Sequence, residues 1–258
     1  MRLMKKFWGA AAALALSASL LVGCSSGTAS SVLVSASSAA ESTVFSVEET
    51  ASSAVDENEA AAAQLLNDLT GSYQELWPVI LADEYKQTWL DDCTALVGED
   101  NAEAAFEKLS SMVTGDVYGE DAVKAYANGG GAYFCGFTNS LATLTFDGET
   151  STISGTDKDG NVLFSHTYHY IGMEPVRGLY EFESDDADSG EFTYFFLAPD
   201  TSAETYHIEF RYGSDADALS QYDAGDYAYW LASGISTDCD QTMIDNCIEL
   251  FCTENLAG

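Results

Sequence analysis

From about residue 133 to residue 212, apolar and polar residues alternate with a period of two in one short stretch after another. A chain with that pattern must bury one face of a sheet. The cleanest alternation is TYHIEFRYG, residues 205–213, which holds one of only three histidines in the chain. Tyr206, Ile208, Phe210 and Tyr212 fall on one face of a strand, and Thr205, His207, Glu209 and Arg211 on the other. On the polar face His207 and Glu209 point the same way, roughly 7 Å apart at Cα. A single rigid strand can present two ligands of one metal ion in this way.

The remaining strand candidates are residues 133–138, 141–146, 151–155, 162–171, 176–183 and 192–198, with 205–212 the last. Asp147-Gly148 and Asp159-Gly160 suit tight hairpins between them. Before Gly129-Gly130-Gly131 the period is instead close to 3.6, over residues 61–69, 84–96, 101–112 and 120–126, with breaks at Gly71, Gly98, Gly115 and Gly119. A last helix over 240–253 is preceded by Ser236, Thr237 and Asp238 as caps. The fold expected is mainly β with flanking helices (α+β): an antiparallel meander closed, or nearly closed, into a small barrel, with N-terminal helices and a C-terminal helix.

Arg2, Lys5 and Lys6 precede an apolar, alanine-rich run from Phe7 to Val22, too short and small-sided for a spanning helix. It reads as a secretory signal. The run closes on Leu21, Val22, Gly23, Cys24 and two serines, and it resembles the lipobox of bacterial lipoproteins. That resemblance implies cleavage before Cys24, lipid attachment to Cys24, and a protein held at the outer face of the cell membrane by its lipid alone. Residues 24–60 are rich in Ser, Ala and Glu, offer little apolar surface to offset ordering, and read as a disordered tether. As a flexible coil it would reach on the order of 30 Å. Residues 61–258 then form one domain, long enough to bury a core without staples.

The 42 acidic residues against nine Lys and Arg give a net charge of −33, and removing residues 1–23 takes away three bases and no acid. Nucleic acid is excluded as a partner. Such a charge attracts cations diffusely, but scattered carboxylates make no site. Apart from Cys24 the cysteines are Cys93, Cys135, Cys239, Cys247 and Cys252, with no CxxC among them. An odd number leaves at least one thiol outside any internal disulfide, and the spacing does not say which two would pair.

Several strings, in order, resemble the ZinT (YodA) family of extracytoplasmic zinc-binding proteins: LTGSYQELWPVI at 69–80, HTYHYIGM at 166–173, then VRGLYEFE, EFTYFF, TYHIEFRYG and DYAYW. The likeness runs over about residues 66–251. It implies a calycin-like, lipocalin-type barrel, zinc or a related divalent ion as ligand, and a metal importer or its solute-binding protein as partner. The family's zinc ligands include one histidine at the end of a strand and a His-x-His on the next. Counting back from Gly213 without a gap sets the pair on His207 and Glu209 and the earlier histidine on Ala198; a shifted register sets the pair on Thr205 and His207. Either way one histidine remains, and the change to carboxylate admits harder ions such as Ca²⁺ or Mn²⁺.

A tetrahedral site with one open position needs a third protein ligand, for which His166, His169, Asp200 and Glu204 are candidates. His166 and His169, three apart, face opposite sides of a strand and cannot both enter one site without a bulge. The competing account has Glu209 pairing with Arg211, and His207 hydrogen-bonded in a polar barrel lumen. DKDGN at 157–161 resembles the start of a calcium loop, but its glycine comes too early, and a hairpin turn is expected. The acidic loop 184–191 reads as solvated, and the triple glycine lacks the Lys-Ser/Thr of a phosphate loop. No nucleophile elbow, HExxH or Cys/His pair suggests an enzyme. Two functions remain: a lipid-anchored metal-binding protein using His207 and Glu209, or the same barrel without its metal site, binding a small ligand, peptide or surface partner in an aromatic-lined cavity near Tyr168, Tyr170 and Phe195.

Overall fold

The computed structural model describes residues 47–198 and 207–256, with side chains from Glu57 onward in the first helix. Residues 1–46, and with them the signal, Cys24 and most of the tether, lie outside the described residues, as do Asp200, Glu204, Thr205 and Tyr206. In chain order the elements are α1 (Val47–Asp68), β1 (Gly71–Glu75), α2 (Leu76–Ile80), α3 (Lys86–Val97), α4 (Glu99–Val113) and α5 (Glu120–Ala127). There follow β2 (Thr143–Asp147), β3 (Thr152–Thr156), β4 (Val162–Met173), β5 (Tyr180–Ser184), β6 (Tyr194–Leu197) and β7 (His207–Gly213), then α6 (Ala216–Leu219), β8 (Ala232–Ser236) and α7 (Gln241–Leu256).

The eight strands form a closed antiparallel barrel in sequence order, β1 pairing with β8 to complete the ring. The expected class, an antiparallel barrel with helices before and after it, is the one found. The lumen is apolar: Phe146, Phe164, Phe182, Phe195, Phe210 and Tyr212 are almost wholly buried in one cluster. Phe195 stacks on Tyr212 with ring centres 5.4 Å apart. Tyr168 meets Phe195 edge-on at the same 5.4 Å and donates its hydroxyl to the Phe192 carbonyl. Tyr168 and Phe195, expected to line a cavity, therefore fill the barrel instead, while Tyr170 is partly buried and packs against Phe182.

A second cluster lies outside the ring, where α2, α3, α4 and α7 cover the β8 side through Trp77, Trp89, Leu109, Ile235 and Ile248. That cover explains why the alternation does not reveal β8, which has both faces buried with only Ser236 partly open. The alternation also misses β1, which is five residues long, begins at Gly71 and runs straight into α2. Conversely, residues 133–138, expected as a strand, make only isolated bridges at Phe134. Their backbone is satisfied elsewhere, the Phe137 amide by Glu75 Oε1 at 2.6 Å and the Thr138 amide by the Tyr212 hydroxyl at 2.6 Å.

α1 begins at Val47, well before the boundary expected at 61, so residues 47–60 are helical. Ala62, Leu65, Leu66 and Leu69 bury one face against the barrel, and an Ala- and Glu-rich sequence lets a nucleated helix extend N-terminally. Gly148 is required by close approach: a Cβ there would stand 2.4 Å from the Asn67 Cα of α1. Among the described residues no helix is long and apolar enough to cross a membrane.

Candidate metal centre

Because Ile208, Phe210 and Tyr212 fill the lumen, alternation turns His207, Glu209 and Arg211 outward, against helices rather than into a polar interior. The lumen placement considered for His207 is thereby corrected. Arg211 is fully buried and donates to the carbonyls of Leu219, Gln221 and Tyr227, so its guanidinium holds the loop after β7.

His207 and Glu209, both partly exposed, share one small cleft with Leu76, Trp77 and Ile80 of α2 and with Cys247, Leu250, Phe251 and Glu254 of α7. Trp77 and Phe251 meet edge-on across it, ring centres 4.7 Å apart. The i, i+7 spacing puts Cys247 and Glu254 on one face of α7, and the buried Ile244, Ile248 and Cys252 belong to the packing of that helix against α3 and α2. The cleft's volume is about 40 Å³, room for an ion or a water and far below an organic-ligand pocket.

The cleft brings together one imidazole, one thiol and two carboxylates, a donor set that suits Zn²⁺; the thiol argues against Ca²⁺. Each of the four already engages a protein neighbour, and among the described residues no three His, Cys, Asp or Glu side chains stand gathered around one point. A metal there would replace protein contacts and require side chains to turn inward. Glu209 also acts on Cys135: burial, and then the Glu209 carboxylate, push that thiol up to about 12, so it stays protonated.

His166 and His169 are not part of this arrangement. They sit on β4, three strands round the ring from β7, and each is paired: His166 Nδ1 with Asp186 Oδ2 at 2.8 Å, His169 Nδ1 with Asp185 Oδ1 at 2.7 Å. The loop 184–191 is thus tied to β4. DKDGN is the expected hairpin turn, Asp157 Oδ1 accepting the amides of Asp159 and Asn161, both at 2.9 Å. The α7 donors Cys247 and Glu254 were not among the ligand candidates read from the sequence. Their i, i+7 spacing says only that they share a helix face, not that this face meets β7. A larger cavity of about 360 Å³ lies between α4 and α5, lined by Ser111, Thr114, Asp116 and Tyr126 with small residues.

No protein-family model and no curated protein matches this chain. Solved structures similar to this chain include two from Streptococcus pneumoniae. The Zn(II)-bound ZinT-like domain of Streptococcus pneumoniae AdcA is 15% identical, over 71% of this chain and 89% of that one, with a TM-score of 0.46. Zn(II)-bound AdcA from Streptococcus pneumoniae is 13% identical over 72% of this chain, with a TM-score of 0.43, and the match spans 35% of that longer chain. The first bears the family name that the sequence strings resemble.

Proposed function

We propose that this chain is a lipid-anchored, extracytoplasmic protein that binds a divalent cation, zinc by its donor set, in the cleft between β7 and α7. In this reading it serves metal acquisition by a membrane importer or its solute-binding protein and catalyses nothing. The observation that carries the metal reading is that His207, Glu209, Cys247 and Glu254 line one cleft of ion size. His207 and Glu209 would hold the ion from the strand, with Cys247 and Glu254 joining from the helix. Bound there, zinc would draw α7 toward β7 and require Cys247 to lose its proton, so affinity would fall with pH. The ZinT-like strings support the same reading, and the lipobox-like run at Leu21–Cys24 supports the anchor.

The test is a calorimetric titration of zinc into metal-free protein beginning at Ser25, beside His207→Ala and Glu209→Ala. Saturation near one equivalent, lost in both variants, is the expected result. Weak binding at many sites, indifferent to both substitutions, would overturn it in favour of diffuse attraction by surface carboxylates. For the anchor, Cys24→Ser in the full chain is expected to release the protein from the membrane fraction.

A further inference from the structure

α7 turns one face to the cleft and another to α3, and on that second face it carries Cys252. The Sγ atoms of Cys93 on α3 and Cys252 on α7 lie 3.9 Å apart, both residues fully buried and 159 positions apart in sequence. The pair sits in the apolar layer beside Trp89, Leu109 and Ile248, where Trp89 meets Phe251 edge-on at 6.0 Å. Two thiols already in van der Waals contact on packed helices need only small side-chain rotations to reach bonding distance.

We propose that Cys93 and Cys252 form a disulfide that clamps α7 to α3. Two S–H bonds break and one S–S bond forms; the two electrons and two protons pass to a small-molecule or protein disulfide, which opens to two thiols. The thiols are shielded, and burial raises the pKa of both, so exchange proceeds through openings of α7 or before it docks. The clamp has something to oppose. Asp92 on α3 faces Asp245 and Glu249 of α7, a helix with no Lys or Arg, and these like charges push the pair apart. The bond stands independently of the metal reading, since neither cysteine lines the cleft.

The experiment treats the full chain with oxidised glutathione, alkylates it in acid denaturant and maps its peptides. A linked peptide joining Cys93 to Cys252, abolished by reductant, with Cys135, Cys239 and Cys247 alkylated, is the expected outcome. Recovery of Cys93 and Cys252 both alkylated, or either linked to a different cysteine, overturns the pairing. Hydrogen exchange on the same samples reads the clamp: amides of Gln241–Leu256 should exchange at least about tenfold more slowly in the oxidised protein than in the reduced one. Equal exchange in the two would overturn the clamping role even if the bond forms.

Discussion

Ala198 stands beside Glu209 across the β6–β7 ladder, its amide donating to the Glu209 carbonyl at 2.9 Å. By the ungapped register, Ala198 also occupies the position where the ZinT family carries its first zinc-ligating histidine. Cross-strand neighbours hold their Cβ atoms about 5 Å apart, so an imidazole here would join the row of His207 and Glu209. Ala198→His is therefore predicted to tighten zinc binding by at least about tenfold, one added ligand being worth more than about 1.4 kcal/mol. Calorimetry on the variant checks it. Unchanged affinity would mean that the ungapped register, or the site, is misplaced.

The barrel was legible from β2 to β7 because most of those strands set a buried lumen face against a more exposed one, and such contrast writes a period of two into the sequence. β8 was not, since helices cover its outer face and Ala232 to Ile235 are all buried, the polar Ser233 among them, so no exposed face marks the strand. Alternation likewise stated which residues share a face with His207 but not what that face meets. The answer lies in the packing of α7, fixed by Ile244, Ile248 and Cys252 against α3 and α2, a long-range choice with no local signature. The strand half of the candidate site was therefore readable, and the helix half was not.

The two α7 donors should separate by chemistry. Cys247→Ser removes a soft ligand, so zinc affinity should fall about tenfold or more while calcium affinity, weak at the outset, barely changes. Glu254→Gln should weaken both ions, having lost a charged oxygen donor. Competition titrations with a zinc chelator and a calcium dye measure the two ions separately. An equal response of both ions to Cys247→Ser would remove the thiol from the site.

Asp92 sets a pH dependence on the α3–α7 contact. Its carboxyl is raised above the ordinary range by burial first, then by Glu249, Asp245 and Asp91. The folded protein holds this proton more tightly than the unfolded chain, so the group's contribution is full below the ordinary carboxylate pKa, near 4, and is lost as pH rises through the raised value. Asp92→Asn should raise stability at pH 7, by no more than about 1 kcal/mol because the group is partly solvated, and the gain should vanish near pH 3. Urea unfolding at the two pH values reads the difference. A gain independent of pH would point to packing instead of charge.

Arg211 should matter to stability and not to metal. Its guanidinium satisfies the carbonyls of Leu219, Gln221 and Tyr227, and its Cζ lies 4.4 Å from the centre of the Tyr222 ring, as does that of Arg177. Lysine cannot reproduce this planar fork: its three donors diverge from one point, and the ammonium loses hydration that the stacked guanidinium gives up more readily. Arg211→Lys would leave at least one buried carbonyl orphaned and is expected to cost about 2–4 kcal/mol in urea unfolding. Zinc affinity should stay within about twofold of the parent protein, because the loop held by Arg211 contributes no residue to the cleft. A variant that keeps full stability would show that the carbonyls find water as readily as arginine. One that loses zinc with its stability intact would place Arg211 in the site, by holding the strand that presents His207 and Glu209.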